Sequence, residues 1–587
     1  MGPRKVIHQL QPQDRSRHAA LADESFRIAQ WVQGSEAARS LAQMALRGAK
    51  RSSALSDIVR ERQDLVGEWR AHDAVRNTMA ALEPQNRDRA AEGANAARLA
   101  AIEARIEEID ARLKAEFPDY AALARPESLS IAEVQAALRS NEALVFTLDT
   151  PEFGPTPEET FVWVVTKTEA RWVRSGLGTA ALAREVAALR CGLDDSAWDD
   201  RGSKCTGLLK IAFDKAPKAD ALLPFDIARA LALYKALFGQ VEDLIRDKHL
   251  LIVPSGPLTQ LPFQVLVTDG ATPAGSETDL RRVAWLTRKH AITVLPAVSS
   301  LSALRRVGKP SAASKPMIGF GNPLLDGDPA ERPWEAKWAK LARDKQVCPQ
   351  TLWQRVAGLV EKRRSVREVA MRGGHADLDH LRSQAPLHDT ADELCAVAKD
   401  LRLAPDDILL GAKATEANVK QLSSDNKLAA YRVLHFATHG VMAGEIEGTS
   451  EPGLILTPPE KQSDLDDGYL SASEVAALKL DADWVILSAC NTAAGGAEGA
   501  EALSGLARAF IYAGARSLLV SHWAVNSAAA AKLITSAVGA TARDKRVGRA
   551  EALRRAMLTM IDKGEPHQTH PAYWAPFVVV GEGATAE

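Results

Sequence analysis

Two stretches of this chain carry residue types that can do nucleophilic chemistry together. V-L-H-F-A-T-H-G-V at 433–441 brings two histidines, and W-V-I-L-S-A-C at 484–490 ends on a cysteine. A free thiol ionises near pH 8.5, so an imidazole within reach raises its thiolate fraction or takes its proton during attack. The protonated ring can then deliver that proton to a departing amine. Metal binding is the first rival reading for His435 and His439. On a helix, rings four residues apart share a face; on a strand rising about 3.3 Å per residue they lie about 13 Å apart and cannot share an ion. His435, mid-run, reads as a hydrogen-bonded core imidazole. His439 closes its run before Gly440, where a sharp turn is expected. Cys490 likewise closes its run before the glycine-rich N-T-A-A-G-G-A-E-G-A. Ligands of open α/β sheets bind outside the carboxyl ends of the strands. Position therefore selects His439 as base and Cys490 as nucleophile, with the backbone N–H groups of Gly440 and Cys490 as receivers of an oxyanion. A buried, inert thiol is the competing reading of Cys490 on spacing alone.

The elements that must hold these residues follow from periodicity. In L-A-A-I-E-A-R-I-E-E-I-D-A-R-L-K-A-E-F, the residues Leu99, Ile102, Ile106, Ile109, Leu113 and Phe117 step by three and four, one stripe on one helix face. Leu55, Ile58, Leu65, Trp69 and Met79 supply a partner helix, so a helical hairpin is expected within 24–117. E-A-L-V-F-T-L, F-V-W-V-V-T and A-R-W-V-R then read as paired strands. From H-L-L-I-V-P at 249–254 onward, short apolar runs recur at 292–296, 317–321, 407–411, 433–439, 484–490, 517–523 and 576–580. Helical patterns separate the last four, the first of them opened by a capping box of Ser471 and Glu474. Continuous apolar strands alternating with helices predict an α/β fold whose mostly parallel sheet is covered on both faces. The expected organisation is an α-helical region over 1–135, a small strand-containing lead-in over 136–245, and the main domain over 246–587 with a helical insertion at about 331–400.

Bulk properties remove several classes. A net charge of −2 over 587 residues does not suit a protein whose task is holding nucleic acid. The first residues lack the apolar core of a signal peptide, and no apolar run approaches about 18 residues. No C-x-x-C occurs among Cys191, Cys205, Cys348, Cys395 and Cys490, so neither a structural zinc site nor a disulfide framework is expected. The chain reads as cytoplasmic, with reduced thiols, no membrane segment, no metal and no cofactor. H-Q-T-H at 567–570 reads as a surface loop, and G-F-G-N-P lacks the spacing of a phosphate loop. No G-x-S-x-G occurs for a serine esterase. Ser488, Asn491, His522, Trp523 and Asn526, near the two strand ends, are the candidate substrate-pocket residues. The acidic residues Asp464, Asp466, Asp467, Glu498 and Glu501 read as solvated loop charge.

H-F-A-T-H-G, L-S-A-C-N-T, G-L-A-R-A-F-I-Y-A-G-A-R-S and Y-W-A-P-F-V-V-V-G-E-G together resemble the CHAT domain, the caspase-like peptidase domain of the caspase and separase group. L-L-I-V-P-S-G-P-L-T-Q-L-P-F and the G-F-G-N-P turn also fit it, so the resemblance covers roughly 225–585. It implies a caspase-like three-layer sandwich, with the family's catalytic histidine on His439, its cysteine on Cys490 and an oxyanion position at Gly440. The separation, 490 − 439 = 51 residues, is close to the caspase spacing of about 50. It further implies a cysteine endopeptidase acting on a protein substrate encoded nearby, in bacterial defence or cell-death signalling. Tetratricopeptide repeats, frequent companions of the domain, are not evident, so an activating protein partner would act through the helical N-terminal region. Asn526 and Ser527 stand where many relatives carry acidic residues, which weakens any demand for a basic residue before the cut. A catalytically silent scaffold that works by protein binding is the alternative.

Overall fold

The computed structural model describes residues 20–33, the positions Ile58, Glu61, Leu65, Trp69, His72 and Arg76, residues 89–116, and most of 128–584. Within 128–584 the longer stretches outside the described residues are 271–278, 350–368 and 489–505. The chain divides into two compact units, 34–127 and the remainder.

The smaller unit is built by its apolar stripe. Helix Arg89–Glu116 buries Leu99, Ile102, Ile109 and Leu113. The six described positions between 58 and 76 are helical, and Ile58 is buried. Arg105 pairs with Glu61 at 2.7 Å, while His72 Nδ1 meets Asn95 Oδ1 at 2.6 Å. Ascending positions in one segment thus meet descending positions in the other, an antiparallel helical pair. Leu55, Met79 and Phe117 lie outside the described residues.

The larger unit is organised by strands. In chain order they are β1 (Glu142–Thr150), β2 (Glu159–Thr166), β3 (Ala170–Ser175), β4 (His249–Val253), β5 (Ile292–Val294), β6 (Lys315–Gly321), β7 (Val369–Arg372), β8 (His375–Ala376) and β9 (Ile408–Leu410). There follow β10 (Tyr431–Ala437), β11 (His439–Val441), β12 (Ile446–Glu447), β13 (Gly453–Ile455), β14 (Tyr469–Ser471), β15 (Trp484–Leu487), β16 (Ser517–Ser521) and β17 (Phe577–Gly581). Eleven form one sheet in the order β3-β2-β1-β4-β5-β17-β16-β15-β10-β6-β9. β1, β2 and β3 make an antiparallel meander, the pairing their aromatic and branched residues predict. β16, β15, β10, β6 and β9 run parallel, and β17 is antiparallel to β16.

The strands are buried on both faces, and successive side chains point to opposite sides of the sheet. Val433 and Ile486 face a core that also holds Leu394, Leu533, Leu553 and Leu237 from helices Thr390–Leu401, Ser527–Arg543, Arg549–Lys563 and Ile227–Phe238. On the opposite face Phe436 stacks on Phe320, ring centroids 5.1 Å apart, and meets Phe510. Helix 20–33 covers that face at β1, where Phe26 packs edge-on against Phe146 at 5.7 Å. Each such side chain, fully buried, contributes roughly 1.5–3 kcal/mol. The larger unit is thus an α/β sandwich of helix, sheet and helix.

One edge of the sheet is charged. Glu142 opens β1 and Glu582 follows β17, and both pair with Arg139 and Arg305. Arg516 and Asp483, just before β16 and β15, join the same edge: Glu582 N donates to Arg516 O at 2.9 Å, and Arg549 pairs with Asp483 at 2.8 Å. The carboxyl ends of β10, β15 and β16 therefore share the opposite edge.

The cysteines correct an expectation. Cys191 is bonded to Cys205 and Cys348 to Cys395, with Cα atoms 5.7 and 5.4 Å apart. Separations of 14 and 47 residues carry no local motif; helix packing and the run after helix Trp334–Asp344 bring the pairs together. Four of the chain's five cysteines are thus oxidised, and Cys490 is the fifth. Among the described residues no helix is long and apolar enough to cross a membrane.

Candidate active site

Strand β10 supplies both histidines by different routes. It ends at Ala437, and the chain bends at Thr438, whose hydroxyl donates to the Ile455 carbonyl. His439 then opens β11, which pairs with β13 in a separate three-stranded sheet. The run 433–439 is therefore two strands. The turn falls at Thr438 rather than at Gly440, which lies mid-strand opposite Leu454. A side-chain hydrogen bond and a new strand partner do the work expected of glycine.

His439 is fully buried, and its Nε2 lies 2.7 Å from the Ala385 carbonyl oxygen. A carbonyl only accepts, so Nε2 carries the proton and Nδ1 is the basic nitrogen of the neutral ring. A backbone carbonyl orients this imidazole. His435, also fully buried, has a different kind of partner: its Nε2 stands 2.9 Å from Glu393 Oε1. The contact is close but lacks hydrogen-bond geometry, so His435 is a core imidazole lying beside a carboxylate. Glu393 Oε2 accepts from Ser488 Oγ at 3.1 Å, so one carboxylate touches β10 and the residue that follows β15. These two strands are direct neighbours in parallel register, with His435 opposite Ile486 and Phe436 opposite Leu487. Cys490, two residues beyond Ser488, and Asn491 lie outside the described residues, as does the loop 491–503.

With the strand order, the shared carboxyl edge and the His439 geometry established, the relatives can be compared. A family model of the CHAT domain matches residues 228–582. The chain belongs to the CHAT domain family. Two solved structures are similar to it, crystal structures of the Saccharomyces cerevisiae separase–securin complex at 2.6 and 3.0 Å resolution. They share 9% and 8% identity, each with a TM-score of 0.37 and 88% of this chain covered. The chain spans only 38% and 37% of theirs. No curated protein matches.

Within the CHAT domain the remaining candidates divide. His522 follows β16 and is 3% exposed; its ring nitrogens find no hydrogen-bond partner among the described residues. Burial, aided by the nearby Arg190 charge, lowers its pKa to about 3, so the ring is neutral. It lines a recess with Pro254, Leu258, Phe263, Leu295 and Val578. Trp523 is buried and donates its indole N–H to the Ala572 carbonyl at 3.1 Å. Asn526 caps helix Ser527–Arg543, its side chain accepting from Ala529 N. These two side chains hold structure at the strand end.

Three further readings change. His570 is buried rather than on a surface loop: Nε2 meets the Leu223 carbonyl at 2.8 Å, and Nδ1 accepts from Ala572 N. Asp466 and Asp467 are not solvated charge. Asp466 accepts from Gly468 N at 3.1 Å and Asp467 from Ala376 N at 2.9 Å. Asp464, Glu498 and Glu501 lie outside the described residues. Ser471 and Glu474 form the capping box their spacing predicts. The residues sequence reasoning missed are Glu393 and Ala385. Glu393 reaches Ser488 across 95 positions of sequence, and nothing local marks it.

Proposed function

We propose that this CHAT domain protein is a cysteine endopeptidase with His439 and Cys490 as its dyad. The observation that carries the reading is the His439 ring, whose Nε2–H is held by the Ala385 carbonyl so that Nδ1 is the nitrogen that can act as base, and which stands just beyond the carboxyl end of β10. Family membership and the next strand's run toward Cys490 support it. So does the cysteine count, since the other four thiols are bonded. In the reaction, Nδ1 of His439 takes the Cys490 proton and the thiolate attacks the scissile carbonyl carbon. The oxyanion is received by the backbone N–H groups of Gly440 and Cys490. The imidazolium protonates the leaving amine, giving a thioester and a free amine. Water, deprotonated by the same ring, then hydrolyses the thioester and restores the thiol. The substrate is a protein, and the helical unit 34–127 is the site proposed for an activating partner. A role in bacterial defence belongs to the same reading.

The test is cleavage of a peptide library and of proteins encoded nearby, alone and with a candidate partner. Cys490→Ala is expected to abolish cleavage, and His439→Ala to slow it about 10²–10⁴-fold. Cleavage that survives Cys490→Ala rules out the dyad. A chain that binds those proteins and cuts none of them is a scaffold.

A further inference from the structure

We infer that the segment 385–393 is a positioning clamp for the dyad: one piece of chain holds the His439 ring at its start and the strand end that leads to Cys490 at its finish. The inference rests on the endopeptidase reading above. At the start, the Ala385 carbonyl accepts from His439 Nε2 at 2.7 Å. Eight residues on, the Glu393 carboxylate stands 2.9 Å from His435 on β10 and accepts from Ser488 at 3.1 Å. Ser488 precedes Cys490 by two residues. Glu393 and His435 are 3% and 0% exposed. A carboxylate placed there forgoes water, a cost that a purely packing role would avoid by using an apolar residue. One oxygen accepts from Ser488, just past the end of β15, and the other lies beside His435 near the end of the neighbouring β10.

The clamp is itself held from three directions. Asn322, at the end of β6, donates its backbone N–H to Thr390 Oγ1 at 2.8 Å. Leu394 lies so near β6 that a Cβ on Gly319 or Gly321 would come within 2.8 or 2.6 Å of its methyl groups. Cys395 is bonded to Cys348 beyond helix Trp334–Asp344, and Ser527 donates to Asp389 at 2.5 Å. A rigid segment that holds His439 at one end and the residue two before Cys490 at the other constrains how the pair can meet, and a misplacement of 1 Å can cost about 10²-fold in rate.

The experiment reads the thiol directly and needs no substrate. In non-reducing buffer, four cysteines are bonded, so iodoacetamide alkylation of the folded chain reports Cys490 alone. His439→Ala is expected to slow alkylation near neutral pH about tenfold for each unit by which thiol ionisation shifts. Glu393→Gln and Ser488→Ala are each expected to slow it at least about twofold, and to add nothing in a His439→Ala background, because they act through the pair. Wild-type rates in both variants overturn the clamp, as does an equal slowing with and without His439. If Glu393→Gln does not fold, Ser488→Ala makes the same test at a half-buried position. A His439→Ala rate equal to wild type sinks the dyad itself and the clamp with it, whereas failure of the clamp alone leaves the His439 effect standing.

Discussion

At the residue scale, the histidines show how environment separates identical side chains. His439 is aimed by a carbonyl, His435 lies beside a carboxylate, and His522 faces an apolar recess. His570 offers a clean measurement of what burial does. Loss of water lowers its pKa to about 4, while its bond to the Leu223 carbonyl works weakly the other way. The unfolded ring titrates near 6.5, so between those values the unfolded chain binds the proton and the folded chain does not. Stability from this group is therefore intact above about pH 6.5 and falls as pH drops toward 4. Asn at 570 can still accept from Ala572 N and has no proton to gain. His570→Asn is expected to flatten the acid decline by about 2 kcal/mol at pH 5, read from urea midpoints between pH 7 and 5. An unchanged slope would place the ring's proton affinity near its free value.

At the element scale, close approach decides where helix Thr390–Leu401 can sit. Gly319 and Gly321 clear the surface of β6 for Leu394, and the helix thereby brings Glu393 to the strand pair. Gly321→Ala introduces a methyl 2.6 Å from Leu394 Cδ1 and 3.0 Å from the Ala437 carbonyl oxygen. Leucine can swing; the backbone of β10 cannot. The substitution is expected to destabilise by about 1–3 kcal/mol, measured by chemical denaturation, and to slow Cys490 alkylation in the same protein. G-F-G-N-P read as a turn, but Gly319 and Gly321 lie within β6, and from sequence these glycines were legible only as lacking the spacing of a phosphate loop. Their packing purpose was not, since Leu394 lies more than seventy positions away in sequence.

At the scale of the whole molecule, the sheet has two chemically different edges. The starting edge is stitched by Glu142, Arg139, Arg305, Glu582, Asp483 and Arg549, and the carboxyl edge presents His439 and His522. Glu142 is fully buried; burial is the largest single influence and works to raise its pKa, but the Arg305 guanidinium and the Arg139 backbone N–H together outweigh it and the net shift is downward. Its contribution is therefore present at neutral pH and lost as acid protonates the carboxylate. Arg305→Ala removes a partner of both Glu142 and Glu582, which bridge the first strand and the last. The expected loss is about 3–5 kcal/mol at pH 7, with partial recovery in the Arg305→Ala/Glu142→Gln pair. No recovery in the pair would mean that the charges at this edge act independently.

Sequence by itself determined where most of the strand runs lie, the capping box at Ser471, the family, and the candidate pair His439 and Cys490. These depend on periodicity and on which residue ends a run, and both are written in adjacent positions. Tertiary structure alone decided the bend at Thr438, the two disulfides, the burial of His570 and the Glu393 bridge from His435 to Ser488. Each joins groups that strand order and helix packing bring together from distant parts of the chain. A carboxylate in a helix looks solvated until topology lays that helix across two parallel strands, and then its partners are fixed by geometry that no neighbouring residue records.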